Sequence, residues 1–408
     1  MEFERLGNIC IVRNGYAFKS EQFIHDGVPI IRISDINKNF VTSENAVRIK
    51  YSSVFENFKL SKGDLLIAMS GATTGKYGIY NSEEAGFQNQ RVGCFVIKDL
   101  KKLNSRYLLQ TLRFLKPVIE RKAHGSGQPN ISTKDIEDLE IPLPSLSTQI
   151  QIANILSKAE ILIEQRKQSI SLLDEFLKST FLEMFGDPTS NKKKYPKAKI
   201  RDVVTEVKYG TSKPAEEEGK YPYLRMNNIT TDGYWDLSKL KYINMGDDEK
   251  AKCVVRKGDL LFNRTNSKEL VGKTAVFNLD EEMIIAGYLI RLRFKENINP
   301  YFVWGYLNSL HGKQTLLGMC KSIVGMANIN AQELQDIKII IPPIELQNQF
   351  AAIVTKTEAL KEQYKKSLQE LENLYGSLSQ QAFKGALTFK EEEEASLMMA
   401  AEPDVKYN

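Results

Sequence analysis

The sequence predicts an α+β protein in which two mixed α/β domains are separated by two long helices that pack as an antiparallel coiled coil with pseudo-twofold symmetry. Three observations carry this expectation. The first is duplication: ISTKDIEDLEIPLPSLSTQIQIANIL begins at Ile131 and INAQELQDIKIIIPPIELQNQFAAIV at Ile329. KGDLL stands at Lys62 and again at Lys257, and VPIIRISDI at Val28 returns as YPYLRMNNI at Tyr221. The interval far exceeds the roughly 20 to 50 residues of a solenoid repeat, so each copy is a domain with something attached. The second is a long helical pattern closing each copy. The third is a series of short β-prone runs opening each copy.

The expected elements follow in order. Residues 1–145 form the first module, whose runs CIVRNG, VPIIRI, DLLIAM, GIYN and RVGCFVI are bounded by Gly, Asn and Ser. SRYLLQTLRFLKPVIERKA is its helical stretch. Residues 146–187 form the first spacer helix. Ile152, Ala159 and Leu173 share one heptad position, Ile155, Leu162 and Phe176 a second, and Leu156, Ile163, Ile170, Leu177 and Met184 a third that widens the stripe. Gly186 and Pro188 punctuate its end. Residues 188–343 form the second module, opened by the lysine-rich NKKKYPKAK, a solvated linker. Residues 344–388 form the second spacer helix, with Phe350, Thr357, Tyr364, Leu371 and Leu378 on one heptad position, Ile353, Leu360 and Leu374 on another, and Gly385 just beyond its end. A periodic stretch of roughly 39 residues makes a helix about 58 Å long, more than a small domain covers, so the two helices are expected to cover each other. Residues 389–408 are an acidic tail, expected to be disordered as a charge run. Periodicity leaves the sheet topology open.

Composition bounds the function. The 408 residues are too many for one core at roughly 100 to 200 residues per domain. No apolar run approaches the roughly 18 residues of a membrane span, and MEFERLGNIC carries charge where a signal peptide is apolar, so the expectation is a cytoplasmic protein without membrane contact. Cys10, Cys94, Cys253 and Cys320 are scattered and read as small buried apolar residues, not as a disulfide framework or zinc site. The net charge of +5 permits an anionic partner without demanding one.

Catalytic motifs fail on inspection. GATTGKY at Gly71 has only three residues between its glycines and Tyr77 where a Mg²⁺-binding Ser or Thr belongs, so it is not a P-loop. Asn299-Pro300-Tyr301 has one proline where an adenine methyltransferase motif has two, and reads as an Asn cap with Pro in the first helical turn. His25, His124 and His311 have no partner at ligand spacing. The chain is expected to have no catalytic, cofactor or metal site.

KGDLLIAMSGATTGKYGIY from Lys62, GSGQPNISTKDIEDLEIPLP from Gly125, LSTQIQIANIL leading into FLEMFGD from Phe181, and PPIELQNQFAAIV leading into QQAFKGAL from Gln380 together resemble the specificity subunits of type I restriction-modification systems. The resemblance covers nearly the whole chain. It implies that each module is a target recognition domain reading one half of a split DNA sequence. It further implies that the helices set the gap and dock two methyltransferase subunits, and that translocase-nuclease subunits join them. S-adenosylmethionine, ATP and Mg²⁺ would then belong to those partners and none to this chain. The second module departs by having SIVGMANIN in place of GSGQPNIS, which fits two modules reading different bases. A specificity subunit of a type II enzyme, and a protein–protein adaptor, are the alternatives.

Reading double-stranded DNA requires donors, since base edges and phosphates both accept them. In the first module the candidates are Arg13, Asn14, Lys19, Lys76, Gln88, Asn89, Gln90, Arg91, Arg121, Lys122, Ser126 and Gln128. In the second they are Lys208, Lys213, Asn227, Asn228, Arg264, Asn266, Lys268, Lys273, Lys321 and Asn328. Arg32 and Arg225 occupy equivalent places, as do Asp64 and Asp259, which points to a shared structural role, a buried ion pair or a turn cap.

Overall fold

A computed structural model describes residues 2–36, 39–123, 129–267, 270–320 and 327–387. The expected acidic tail lies outside these. The chain divides into two compact units, Met1–Gln165 with Gln369–Asn408, and Arg166–Leu368, so each long helix contributes to both.

In the first unit, Phe3–Arg5 pairs antiparallel with Glu140–Pro142 and brings the two ends of the module together. A five-stranded sheet runs in the order Cys10–Asn14, Val92–Ile97, Leu65–Ala68, Tyr77–Tyr80, Phe40–Val41. Its central strand, Leu65–Ala68, is buried throughout, as a run with no polar alternation requires. A second sheet has the order Phe23–Ile24, Val47–Ile49, Val28–Ile31, Gly86–Gln88, Lys59–Leu60, with Val28–Ile31 and Gly86–Gln88 parallel. Ile31, Leu66, Tyr80 and Cys94 belong to one small core. The larger core joins Val12, Ile67 and Phe95 of the first sheet, Tyr107, Leu108 and Leu112 of the helix Ser105–Ala123, and Ile152, Leu156 and Phe383 of the long helices.

The second unit repeats this plan. Lys197–Lys199 pairs with Lys338–Ile340. One four-stranded sheet runs Val204–Tyr209, Leu289–Phe294, Leu260–Asn263, Thr274–Val276, and the other runs Lys241–Ile243, Tyr221–Leu224, Met283–Ile285, Val254–Val255. Gly15 and Gly210 hold corresponding places after the first strand of each main sheet, where a Cβ would strike the carbonyls of Asn89 and Ile285. Pro300–Asn308 is capped by Asn299, whose side chain accepts from the Tyr301 N–H at 3.0 Å, with Pro300 in the first turn. Phe181, Phe185, Phe302 and Phe350 interlock in its core, with ring centroids 4.9 to 6.0 Å apart.

Both long helices have 40 residues, Leu146–Phe185 and Ile344–Phe383. Gly186 and Gly385 follow them in the left-handed region, at φ 78° and 75°. Within the second unit their segments run antiparallel: the Arg166 guanidinium lies 4.4 Å from the Tyr364 ring centre, Lys361 donates to both Asp174 oxygens at 2.6 Å, and Phe181 meets Phe350. In the first unit, Tyr375 donates to Gln110, which itself donates to Glu160. One part of the predicted stripe faces outward. Ile152, Leu156, Ala159 and Leu177 are buried, but Leu162, Phe176, Leu360 and Leu374, all on the second heptad position, are 36 to 50% exposed. A two-helix seam is narrower than three heptad positions, so the widened stripe outruns what one partner helix can cover.

Candidate nucleic-acid interface

In the first unit, the central strand Leu65–Ala68 leads into a turn pinned from two sides. Met69 donates its N–H to the Arg91 carbonyl, the Ile131 N–H reaches the Met69 carbonyl (both 2.9 Å), and Ser70 pairs with Asn130 as an isolated bridge. The turn continues through Gly71 and Gly75, at φ 78° and 81°, which explains the glycines that imitate a P-loop. These contacts frame an open cleft of about 590 Å³ whose polar lining includes Asn14, Ser70, Gln90, Arg91, Asn130 and Ser132. Ser70 is 9% exposed, and among the described residues its hydroxyl has no hydrogen-bond partner. The cleft is therefore a concave surface of amide, hydroxyl and guanidinium groups suited to a polar, donor- and acceptor-rich ligand.

The second unit builds the same frame with other side chains. Arg264 donates its N–H to the Tyr288 carbonyl at 3.0 Å, and Ile329 donates to the Arg264 carbonyl at 2.9 Å. Thr265–Asn266 pairs with Ala327–Asn328 where the described residues of the first unit have the Ser70–Asn130 bridge. Arg264 thus stands where the first unit has Met69, Tyr288 where it has Arg91, and Tyr209 where it has Asn14.

The structure separates the predicted donors into three groups. Asn14, Gln90 and Arg91 are brought together in the cleft of the first unit, and Arg264, Asn266 and Asn328 at the equivalent turn of the second. Others are occupied inside the fold. Gln88 is fully buried, its amide donating to the Arg13 and Val92 carbonyls (2.6 Å each) while accepting from Arg13 Nε. Arg13 also donates to the Lys59 carbonyl. Asn228, 2% exposed, accepts from the Arg225 N–H and donates to the Asp236 carbonyl. Lys273 donates to the Met226 carbonyl at 2.9 Å, and burial pushes its ammonium pKa down. Gln88, Asn228 and Lys273 therefore leave the candidate set. Asn89 is half-buried, with its backbone bridged to Tyr16.

The third group is exposed and outside the cleft lining: Lys19, Lys76, Arg121 and Lys122 in the first unit, and Asn227, Lys208 and Lys213 in the second. Lys208 pairs with Glu206 at 2.8 Å and Lys213 with Glu249 at 2.6 Å. Ser126, Gln128, Lys268 and Lys321 lie outside the described residues. Sequence reasoning missed Ser70, Asn130, Tyr209 and Tyr288. Asn130 is legible through its repeat partner Asn328, while nothing local in the sequence separates Tyr209 and Tyr288 from the chain's other aromatic residues.

The equivalent residues outside the cleft have the structural roles expected of them. Arg32 and Arg225 each precede a short 3-10 turn whose third residue, Asp35 or Asn228, accepts their backbone N–H. Asp64 and Asp259 cap the KGD turns by accepting from the N–H of Ser61 and Arg256. Asp259 also holds Arg293 in a two-point ion pair at 2.7 and 3.1 Å. Among the described residues no group of three or more His, Cys, Asp or Glu side chains is placed to hold a metal ion, and no helix is long and apolar enough to cross a membrane.

Residues 1–172 and 192–373 match the family described as the type I restriction modification DNA specificity domain, once in each half of the duplication. The chain belongs to this family. Among its relatives is the EcoKI specificity subunit of Escherichia coli, 22% identical over 94% of this chain and 88% of the relative. Another is a putative MjaX specificity subunit of Methanocaldococcus jannaschii, 27% identical over 89% of this chain and 87% of the relative. The fold is similar to that of a type I restriction-modification S subunit from M. genitalium, with TM-score 0.58 and 16% identity over 95% of this chain and 96% of that one. A chain from a second type I system gives TM-score 0.54 at 19% identity over 95% and 98%. This specificity subunit is the non-catalytic, DNA-recognising member of a type I restriction-modification complex.

Proposed function

We propose that each module of this specificity subunit reads one half of a bipartite, asymmetric DNA target, and that the long helices fix the gap between the halves. The observation that carries this reading is the pair of equivalent turns, one after each central strand, built on the same backbone contacts but offering different side chains: Asn14, Ser70 and Arg91 in one, Tyr209, Thr265, Arg264 and Tyr288 in the other. Identical surfaces would read a palindrome, and different surfaces read two different half-sites. Linking the two on one chain makes the second contact intramolecular, so modest half-site affinities multiply.

Two methyltransferase subunits and translocase-nuclease subunits complete the complex, with S-adenosylmethionine, ATP and Mg²⁺ held by them. The exposed apolar side chains Leu162, Phe176, Leu360 and Leu374 on the long helices are compatible with such docking. The test is a genome-wide map of methylated adenines in cells carrying this chain and its methyltransferase. A split asymmetric motif with a fixed gap, lost on deletion of the chain, is the expected result. An unchanged map with the methyltransferase active would overturn the proposal.

A further inference from the structure

Arg264 is half-exposed and restrained by two neighbours. Its guanidinium carbon lies 4.9 Å from the centre of the Tyr209 ring, and its Nε donates to Asn328 Oδ1 at 3.2 Å. The same oxygen accepts from Thr265 Oγ1 at 3.0 Å, which fixes the amide orientation of Asn328. Tyr209 is itself anchored, because its hydroxyl accepts from the Ala331 N–H at 2.8 Å. The ring beneath the guanidinium and the Nε bond to Asn328 restrain it from two directions. Among the described residues the two terminal nitrogens have no hydrogen-bond partner. A rigid planar fork with both end donors uncommitted matches the paired O6 and N7 acceptors of guanine in the major groove, and pre-orientation lowers the side-chain entropy lost on contact. A phosphate also accepts a guanidinium fork, but it does not require a pre-set plane, and a lysine can serve it as a point charge.

The first unit sharpens the point. Its arginine over the corresponding surface, Arg91, is exposed, with no side-chain hydrogen bond among the described residues, and the place of the Tyr209 ring is taken by Asn14. We infer that Arg264 is the residue by which the second module demands a guanine in its half-site, with Tyr209 and Asn328 as positioning residues that hold the fork; this rests on the half-site reading above.

The test uses the complete complex with its methyltransferase and a DNA library randomised over both half-sites and the gap. The expected result is a guanine required at one position of one half-site by the wild-type complex. Arg264→Lys keeps the charge and loses the fork, so preference for that guanine falls roughly ten- to a hundredfold while the other half-site stays fully specified. Tyr209→Ala lowers the same preference by a smaller factor at the same position and leaves the other half-site unchanged, which general unfolding of the chain could not do. A guanine requirement that survives Arg264→Lys overturns the assignment alone. So does a loss spread evenly over all sequences and removed by raising salt, which would make Arg264 a phosphate contact. A wild-type complex that selects no split motif overturns both this assignment and the half-site reading.

Discussion

The two modules share a backbone plan and differ in what fills it. On the edge strand of the main sheet and the strand beside it, the first module has Ile11, Cys94 and Val96 where the second has Glu206, Arg291 and Arg293, positions matched by the strand registers. Cys94 is a buried thiol whose pKa is pushed up to about 12 by burial. Arg291 is a fully buried guanidinium that pairs with Glu206 and donates to the Val254 carbonyl. Arg293 joins it by bonding both Glu206 and Asp259. One sheet thus tolerates an apolar or an ionic filling at the same ladder positions. The backbone pairing defines the module, and the side chains on it are negotiable so long as buried charges are paired.

The largest effect should come from breaking the ionic version. Arg291→Met takes one of three cations from Glu206, which keeps Lys208 and Arg293, and removes the donor to the Val254 carbonyl, and should destabilise the second unit by about 1–3 kcal/mol. Glu206→Ile, Arg291→Cys and Arg293→Val together write the first module's solution into the second and should recover most of that loss. The chain's two tryptophans, Trp235 and Trp304, both lie in the second unit, so their fluorescence during urea unfolding reports it alone. A triple variant no more stable than Arg291→Met would show the two fillings are not interchangeable.

A second contrast involves Glu160 and Glu358, which stand at the same place in the duplicated helices. Glu160 pairs with Arg113 and accepts from Gln110. Glu358 has Asn278 as its donor at 3.1 Å, and burial raises its pKa to about 7. A carboxyl whose folded pKa lies above its unfolded value contributes stability that is fully present below about pH 4.5 and is lost as pH rises through about 7. Glu358→Gln should therefore stabilise the second unit relative to wild type at neutral pH, by no more than about 3 kcal/mol, and the difference should shrink toward acid. Glu160→Gln should do the opposite at neutral pH, because it leaves the Arg113 charge short of its partner. Urea unfolding at a series of pH values measures both, and matching signs would refute the contrast.

The smallest effect concerns Lys76 and Lys273, equivalent by the turns that carry them. Lys76 is exposed, whereas Lys273 is tied to the Met226 carbonyl. If Lys76 meets a phosphate, Lys76→Ala should reduce the salt dependence of DNA binding by about one counterion. Lys273→Met should leave that slope unchanged and lower stability instead. Binding titrations across salt concentrations distinguish the two.

Much of the molecule was legible in the sequence because it was written twice. The long helices, their glycine ends, the Asn299 cap and the helix Ser105–Ala123 all follow from local periodicity and capping chemistry. The sheet order did not, because strands of two to six residues find partners far along the chain, and nothing local encodes which. Polar loop residues were ambiguous for a related reason: Gln88 and Asn228 look like ligand donors in sequence but satisfy buried backbone groups, and only the fold tells one use from the other. Arg264 was legible as a donor. Its support by Tyr209 was not, since the two are brought together by the fold alone.

The pairing of Phe3–Arg5 with Glu140–Pro142, and of Lys197–Lys199 with Lys338–Ile340, has a consequence for inheritance. The polypeptide enters and leaves each module through neighbouring strands, roughly 4.8 Å apart, and the long helix begins within a few residues of the exit. Recombination that replaces everything between those two strands leaves the helix register undisturbed. On the half-site reading proposed above, a gene of this design would acquire a new address for its enzyme by exchanging one cassette, without re-evolving the machinery that acts there.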